Sequence, residues 1–388
     1  MNKNRKRQIL LTSVIIPSLT WTQVFASNCG QSYIAKWKGN ARAALSITID
    51  DNGPGDMRDI QASILEEYGV RGTFNIITGP LTSDPAKRQM FLDIFNRGHE
   101  LGSHTVDHIH LANAGLETIM FELGESKLFI EGLTGAPCVS YAAPYNYLDL
   151  NVLNVANELY ISARGNNIFI NGATGGDLWN IGMAPYPFPW GSTWKDEEYI
   201  TGLRQYVEDV FAVEGWAIEM WHNLTSDPNQ LSTGQAATET VFRTHLAELT
   251  SEYNERLWIA PQGTVARYYL EREETSIKVQ IVADQVILVD LVFNGDLEIF
   301  DEPLTVFTNI PKHWLDREIT IVQDGTLLDY VIDMDDDLEP WLTYDALPTG
   351  DVISIAYKPI PGDLDKDGDV DMVDLSIFAA HWLEGAVR

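Results

Sequence analysis

The stretch Ala44-Leu45-Ser46-Ile47-Thr48-Ile49-Asp50-Asp51 governs how the fold is read. Leu45, Ile47 and Ile49 mark a buried β-strand, and the strand ends in two adjacent carboxylates. Outward from it, Met57–Tyr68 sets Ile60, Ile64, Leu65 and Tyr68 on one face, which predicts a helix. Arg71–Ile77 is strand-like, Ala86–Asn96 is helical and stops at Gly98, Glu100–His104 is a short strand, and Leu116–Leu133 is a long helix. Val139–Ala143, Tyr160–Arg164, Trp216–Trp221 and Leu257–Ala260 add strands, with helices at Asp149–Leu159, Glu197–Val213 and Glu239–Asn254. Such alternation from Ala43 to Glu273 implies an α/β fold of parallel strands with helical crossovers, closed into a distorted or partial (β/α) barrel.

After Glu273 the pattern changes. From Ser276 to Lys358, Val, Ile, Leu and Thr recur at alternating positions, as in Val279-Ile281 and Ile319-Ile321-Val322. Asn294-Gly295, Asp324-Gly325 and Thr349-Gly350 separate the runs, so a small all-β sandwich is expected. Carbohydrate binding and structural support both suit it. Trp314 and Trp341 are its exposed-aromatic candidates, although a sandwich Trp is more often core.

The N-terminus opens with Lys3, Arg5, Lys6 and Arg7, then an apolar stretch from Ile9 to Leu19 and Val24-Phe25-Ala26. This is the pattern of a secretory signal peptide over residues 1–26. The apolar run is broken by Thr12, Ser13, Pro17 and Ser18, which disfavours a membrane anchor. A secreted or extracellular location follows, whether periplasmic, free or attached to the cell surface. The two cysteines, Cys29 and Cys138, could pair in that compartment or remain buried thiols. A formal charge of −30 repels phosphate backbones and anionic lipid, so nucleic acid and membrane surfaces are excluded as partners.

Three pieces at strand ends carry chemistry: Thr48-Ile49-Asp50-Asp51, Gly102-Ser103-His104-Thr105-Val106-Asp107-His108, and Glu219-Met220-Trp221-His222. In a parallel barrel the carboxyl ends of the strands converge on one mouth. Adjacent aspartates need a positive neighbour. Two histidines four residues apart can face one way, and a carboxylate from another strand completes a two-His, one-carboxylate set with open positions. Taken singly, each piece has an ordinary structural explanation; a strand-end Asp pair can cap a helix, and a lone His is usually a core residue. Their order and placement together point to hydrolysis. His99 reads as structural, Asp107 as solvated or supporting, and His110, His245, His313 and His381 show no partner.

These residues resemble the polysaccharide deacetylase (NodB-homology) family, carbohydrate esterase family four. The resemblance rests on Ile47–Asp51, Tyr68-Gly69-Val70-Arg71-Gly72-Thr73-Phe74, Gly98-His99-Glu100-Leu101-Gly102-Ser103-His104-Thr105 with His108, and Trp221-His222, and it covers residues 40–273. It implies a divalent metal, usually Zn2+ with Co2+ or Ni2+ as alternatives, held by Asp51, His104 and His108. It makes Asp50 the base that deprotonates the attacking metal-bound water and His222 the acid that protonates the leaving group. Where the family has Arg-x-Pro-Tyr, this chain has Ala142-Ala143-Pro144-Tyr145. Tyr145 keeps the position whose backbone N–H binds the oxyanion, but the arginine that braces the catalytic Asp is missing. Arg164, at the end of the next strand, is the candidate replacement, and Asp177-Leu178-Trp179 is a weak match to a further family motif.

Residues 362–388 form a separate unit. Asp363, Asp365, Asp367, Asp369, Asp371 and Asp374 fall at positions one, three, five, seven, nine and twelve of a loop with Gly368 at six. That is EF-hand-like Ca2+ spacing, and the following helix carries Leu375, Phe378, Trp382 and Leu383 on one face. The segment resembles one repeat of a dockerin, which implies a cohesin-like or cell-surface partner. The expected organisation is thus a signal peptide (1–26), a deacetylase domain (40–273), an all-β module (276–360) and a calcium repeat (362–388). The expected function is metal-dependent removal of N- or O-acetyl groups from an acetylated polysaccharide. The alternative is a non-catalytic glycan-binding protein on the same scaffold.

Overall fold

A computed structural model describes residues 30–165, 170–172, 178, 184–185, 196–225, 236–282, 285–358, 362, 364 and 370–385. The chain begins with Ser32–Ile34 (β1), then enters Ala43–Asp50 (β2), Met57–Glu67 (α1), Thr73–Ile76 (β3), Thr78–Leu81 (α2), Pro85–Asn96 (α3) and Glu100–Ser103 (β4). Leu116–Thr134 (α4), Ser140–Ala142 (β5), Leu150–Leu159 (α5), Ser162–Arg164 (β6), Ala184–Pro185 (β7), Asp196–Val213 (α6) and Trp216–Trp221 (β8) follow. Asn223–Thr225 (β9), Ala236–Thr238 (β10), Glu239–Ser251 (α7), Leu257–Ile259 (β11) and Gln262–Glu274 (α8) complete this part.

The main sheet runs β6-β5-β4-β3-β2-β8-β7, all parallel, with β11 also on β2. β2 is its axis. Residues 43–45 pair with β11 and residues 48–50 with β3, so one edge of β2 serves two neighbours in succession. Every residue of β2 is buried, as expected of a parallel strand covered on both faces. The sheet curls without closing, an α/β half-barrel.

Local chemistry starts and stops the helices. Asp84 caps α3 by accepting the Lys87 N–H, with Pro85 at the first helical position. Asp149 and Thr238 cap α5 and α7 in the same way. Gly135, at φ 72°, ends α4 in the left-handed conformation. Because the strands are all parallel, their carboxyl ends face one mouth. No helix among the described residues is long and apolar enough to cross a membrane.

The β region adds Ser276–Val282 (β12), Val286–Val292 (β13), Leu304–Asn309 (β14), Ile319–Gln323 (β15), Thr326–Leu327 (β16), Tyr330–Met334 (β17), Pro340–Ala346 (β18) and Ile353–Tyr357 (β19). They form two antiparallel sheets, β1-β14-β18-β17 and β12-β13-β19-β15-β16. Val289, Leu291, Val306, Trp314, Leu342 and Ile355 belong to the buried core of this region. Trp314 is therefore a core residue, the commoner place for a sandwich Trp, and no exposed binding aromatic. Trp341 is half-buried and donates its indole N–H to Asp335 at 3.0 Å. One strand of this region comes from far upstream: β1 pairs with β14 before the half-barrel begins.

Met372–Gly385 (α9) follows the acidic C-terminal sequence, with Leu375, Phe378 and Trp382 exposed. Asp374 is buried and accepts N–H bonds from Leu364 and Asp371. Asp363, Asp365, Asp367 and Asp369 lie outside the described residues, as do the N-terminal segment with Cys29 and the pair Asp177 and Trp179. Cys138 is buried, and burial pushes its thiol up to about 12.

Candidate active site

The ends of β2, β4, β5, β6 and β8 meet at the mouth. Asp50 is the last residue of β2, and its carboxylate is 2% exposed. Asn75 on β3 donates to it at 2.9 Å, and the Arg164 guanidinium at the end of β6 forms an ion pair with it. Burial alone would raise the Asp50 pKa. Arg164, with His104 and His222, outweighs burial and holds the carboxyl far below the ordinary carboxylate range.

Asp51 follows in the left-handed region, at φ 66°, which turns its side chain away from that of Asp50 toward the histidines. His108 Nε2 is 3.4 Å and His104 Nε2 3.7 Å from Asp51 Oδ1. The three donor atoms lie within 4.8 Å of one another. Two atoms each about 2.1 Å from a tetrahedral centre stand about 3.4 Å apart, so this trio fits a divalent cation. The tautomer fits as well. His104 Nδ1 donates to the Ala142 carbonyl at 2.8 Å, which leaves the Nε2 lone pair for a ligand. Burial lowers the His104 pKa despite Asp50 and Asp51, the direction that favours the neutral ring a ligand needs.

The loop that carries the two histidines is bolted from below. Glu122 on α4 is buried and accepts the N–H groups of Val106 and Asp107 at 3.0 and 2.9 Å. Gly79 packs so closely that a Cβ there would stand 2.7 Å from both the Val106 carbonyl and Asp107 Oδ1. Thr105 at φ 66° and His108 at φ 53° are held in the left-handed region by this packing.

His222 follows β8, with Nε2 3.9 Å from Asp51 Oδ2. Burial lowers its pKa, opposed by Asp50 and Asp51 and reinforced by Arg58 and Arg164. Tyr145 lies in the turn after β5 at φ 56°, 62% exposed, and its backbone N–H makes no hydrogen bond among the described residues. All seven of the expected residues around the mouth, Asp50, Asp51, His104, His108, Tyr145, Arg164 and His222, are thus placed at or beside one site.

Other residues shape the site without an obvious mark in the sequence. Arg58 on α1 is fully buried and donates to the backbone carbonyls of Asp50, of Asp51 at 2.8 Å and of His222 at 2.9 Å. Gln61, one turn on, adds a bond to the His222 carbonyl at 2.7 Å. Asn75, Glu122 and the Ala142 carbonyl act similarly. The only local hint is a basic residue opening a helix a few positions after the Asp pair. Of two further histidines, one keeps the structural role expected of it and the other does not. His99 is buried, accepts the Gly72 N–H at Nδ1 and meets Glu66 at 3.1 Å, with its pKa lowered by burial to about 4. His245 is not partnerless: its Nε2 lies 2.7 Å from Glu219, which also accepts the Trp221 indole N–H.

Fold and site define the class: a parallel half-barrel whose mouth gathers a buried carboxylate–arginine pair, a second carboxylate and three histidines. Residues 38–163 match the family model described as polysaccharide deacetylase. The chain is 26% identical over 340 residues to gellan lyase of a Bacillus species, which covers 84% of this chain and 13% of that protein. It is 28% identical over 120 residues to chitooligosaccharide deacetylase of Azorhizobium caulinodans, covering 30% of this chain and 55% of the relative. The match thus spans about an eighth of the first relative and about half of the second. The solved structure of peptidoglycan deacetylase from Bacillus subtilis aligns at 13% identity with a TM-score of 0.43, covering 61% of this chain and 96% of that one.

Proposed function

We propose that this protein hydrolyses acetyl groups from an acetylated polysaccharide with the help of a divalent cation. The observation that carries the reading is the convergence of Asp50, Asp51, His104, His108 and His222 from three strand ends on one mouth. Asp51, His104 and His108 would hold the cation, and a nitrogen-rich set of this kind suits Zn2+, with Co2+ or Ni2+ as alternatives. When bound, the cation supplies polarisation of the acetyl carbonyl and a lowered pKa for water.

The chain's own groups do the rest. Asp50, fixed by Arg164 and Asn75, takes the proton of the attacking water. The Tyr145 N–H receives the negative charge that develops on the acetyl oxygen. His222, across the mouth, gives a proton to the departing amine or alcohol, so that acetate and the free sugar group leave. A non-catalytic scaffold would have no need of a braced base. A missing arginine would favour that alternative, but Arg164 stands against Asp50 in its stead.

Export of the chain, read from its N-terminal pattern, agrees with an external polymer as substrate. The acidic C-terminal repeat suits a Ca2+-ordered tail for a cohesin-like or cell-surface partner. The gellan lyase relative, matched over most of this chain, also acts on a polysaccharide by its name. Acetate release should be measured on chitooligosaccharides, peptidoglycan and acetylxylan, with chelator and with Zn2+ restored. Release from at least one of them, abolished by chelator and recovered with Zn2+, is expected. No acetate from any of the three by the Zn2+-loaded protein would reject the reading.

A further inference from the structure

The mechanism above uses Tyr145 only through its backbone, yet its side chain belongs to a row of four rings. The His108 and Tyr145 ring centroids are 4.8 Å apart at 56°, Tyr145 and His110 5.5 Å at 25°, and His110 and Tyr147 4.8 Å at 40°. The row starts on a histidine of the cation set and runs outward from the mouth. Tyr145 and His110 are exposed and Tyr147 is half-buried. Two separate elements build it, the loop after β4 and the turn after β5.

Tyr145 and Asn146 sit at φ 56° and 57°. Such conformations cost about 1–3 kcal/mol each in residues other than glycine and persist only where the surroundings enforce them. Here the turn spends that strain on holding a large aromatic ring out in water. His110 Nδ1 accepts the Ala112 N–H at 3.1 Å, which leaves its Nε2 as a donor. The row therefore offers ring carbon surface, two phenol hydroxyls and one imidazole N–H. Rings that already pack on one another lose little freedom when a ligand arrives.

We propose that Tyr145, His110 and Tyr147 form a sugar-binding wall that seats the pyranose units next to the one bearing the acetyl group. This deepens the deacetylase reading and rests on it. A pyranose has C–H faces that match ring carbon and hydroxyl edges that match phenol and imidazole groups. The wall's occupant is a neutral stretch of glycan. The chain's net charge of −30 and the exposed Asp107 beside His108 disfavour an anionic one.

His110→Ala, Tyr147→Ala and the ring-keeping His110→Phe test the wall, with thermal unfolding as a check on the fold. Binding is measured by calorimetry on cation-free protein, using hexasaccharides of chitin and of acetylated xylan. Turnover is measured on the hexasaccharide and on the matching single sugar. Each alanine variant should raise the hexasaccharide Kd about tenfold and lower kcat/KM for it about tenfold more than for the single sugar, with His110→Phe largely restoring both. An unchanged Kd, or equal losses on long and short substrates, overturns the wall. So does a wild-type protein that binds neither hexasaccharide. A wild-type protein that binds one of them and releases no acetate would reject the catalytic reading and leave the wall standing.

Discussion

Arg164 forms an ion pair with Asp50 from the end of β6. Ala142, where the family motif has its arginine, pairs in register with Arg164 on the adjacent parallel strand. Register partners on neighbouring parallel strands lie about 4.8 Å apart and point to the same face, a gap that an arginine side chain can span. The guanidinium thus reaches Asp50 from one strand further out. Arg164→Ala should lower kcat for acetate release at least about tenfold, within the range that a well-placed base contributes, and Arg164→Lys should recover part of it. Calorimetric unfolding of both variants separates this from collapse of the fold, and an unchanged kcat in a folded Arg164→Ala protein rejects the bracing. Much of this site was legible in the sequence because strand-end position and spacing carry it. Asp50-Asp51, His104 with His108, and His222 each close a recognisable apolar run. Asn75 and Glu122 were not legible, because they act through folded contacts, 25 residues from Asp50 and about 15 from the histidine loop.

At the level of elements, α1 does more than cover the sheet. Arg58 reaches past the first turn to hold three carbonyls, two at the end of β2 and one after β8. Gly53 makes room for it: a Cβ there would stand 2.9 Å from the guanidinium carbon, and its φ of 63° already favours glycine. The proposed base, cation ligand and acid therefore share one backbone clamp. A lysine cannot reproduce that planar, multi-donor contact. Arg58→Lys should cost about 1–3 kcal/mol of stability through carbonyls left unpaired. It should also weaken Zn2+ binding and lower kcat together, because Asp51 and His222 would both lose their anchor. Equilibrium dialysis with Zn2+ beside acetate kinetics checks this; a destabilised variant with normal Zn2+ affinity and kcat would show that Arg58 only supports the fold. Most helices and long strands matched their sequence patterns closely, as Asp196–Val213 against an expected Glu197–Val213 shows. The misses were α8 and α2, which the sequence reading leaves unassigned, and the short strands β7, β9, β10 and above all β1. A three-residue strand has no usable period, and its partner lies about 275 residues away, so nothing local announces it.

Across the whole molecule, the seam between half-barrel and β region carries its own pH dependence. Glu271 on α8 is buried and accepts the Glu302 N–H at 3.1 Å, while Tyr268 on the same helix donates to the Ala35 carbonyl at 2.9 Å. Burial, with Glu302 and Asp301 nearby, pushes the Glu271 carboxyl up to about 8 from an ordinary 4.5. Below pH 4.5 both folded and unfolded chains hold that proton, and the seam is at its most stable. Between about pH 4.5 and 8 the unfolded chain releases it while the folded chain retains it, so stability falls as pH rises. Above pH 8 both forms are ionised and the loss is complete. Glu302, whose pKa is also raised by burial despite its ion pair with Lys38, pulls in the same direction. Glu271→Gln keeps an acceptor for the Glu302 N–H and removes the titration. Urea unfolding at pH 5 and pH 9 should therefore show a wild-type loss on the order of 1 kcal/mol or more, and a smaller loss in the variant. Equal losses in both proteins would mean that the seam holds Glu271 ionised, with the alkaline sensitivity arising elsewhere in this acidic chain.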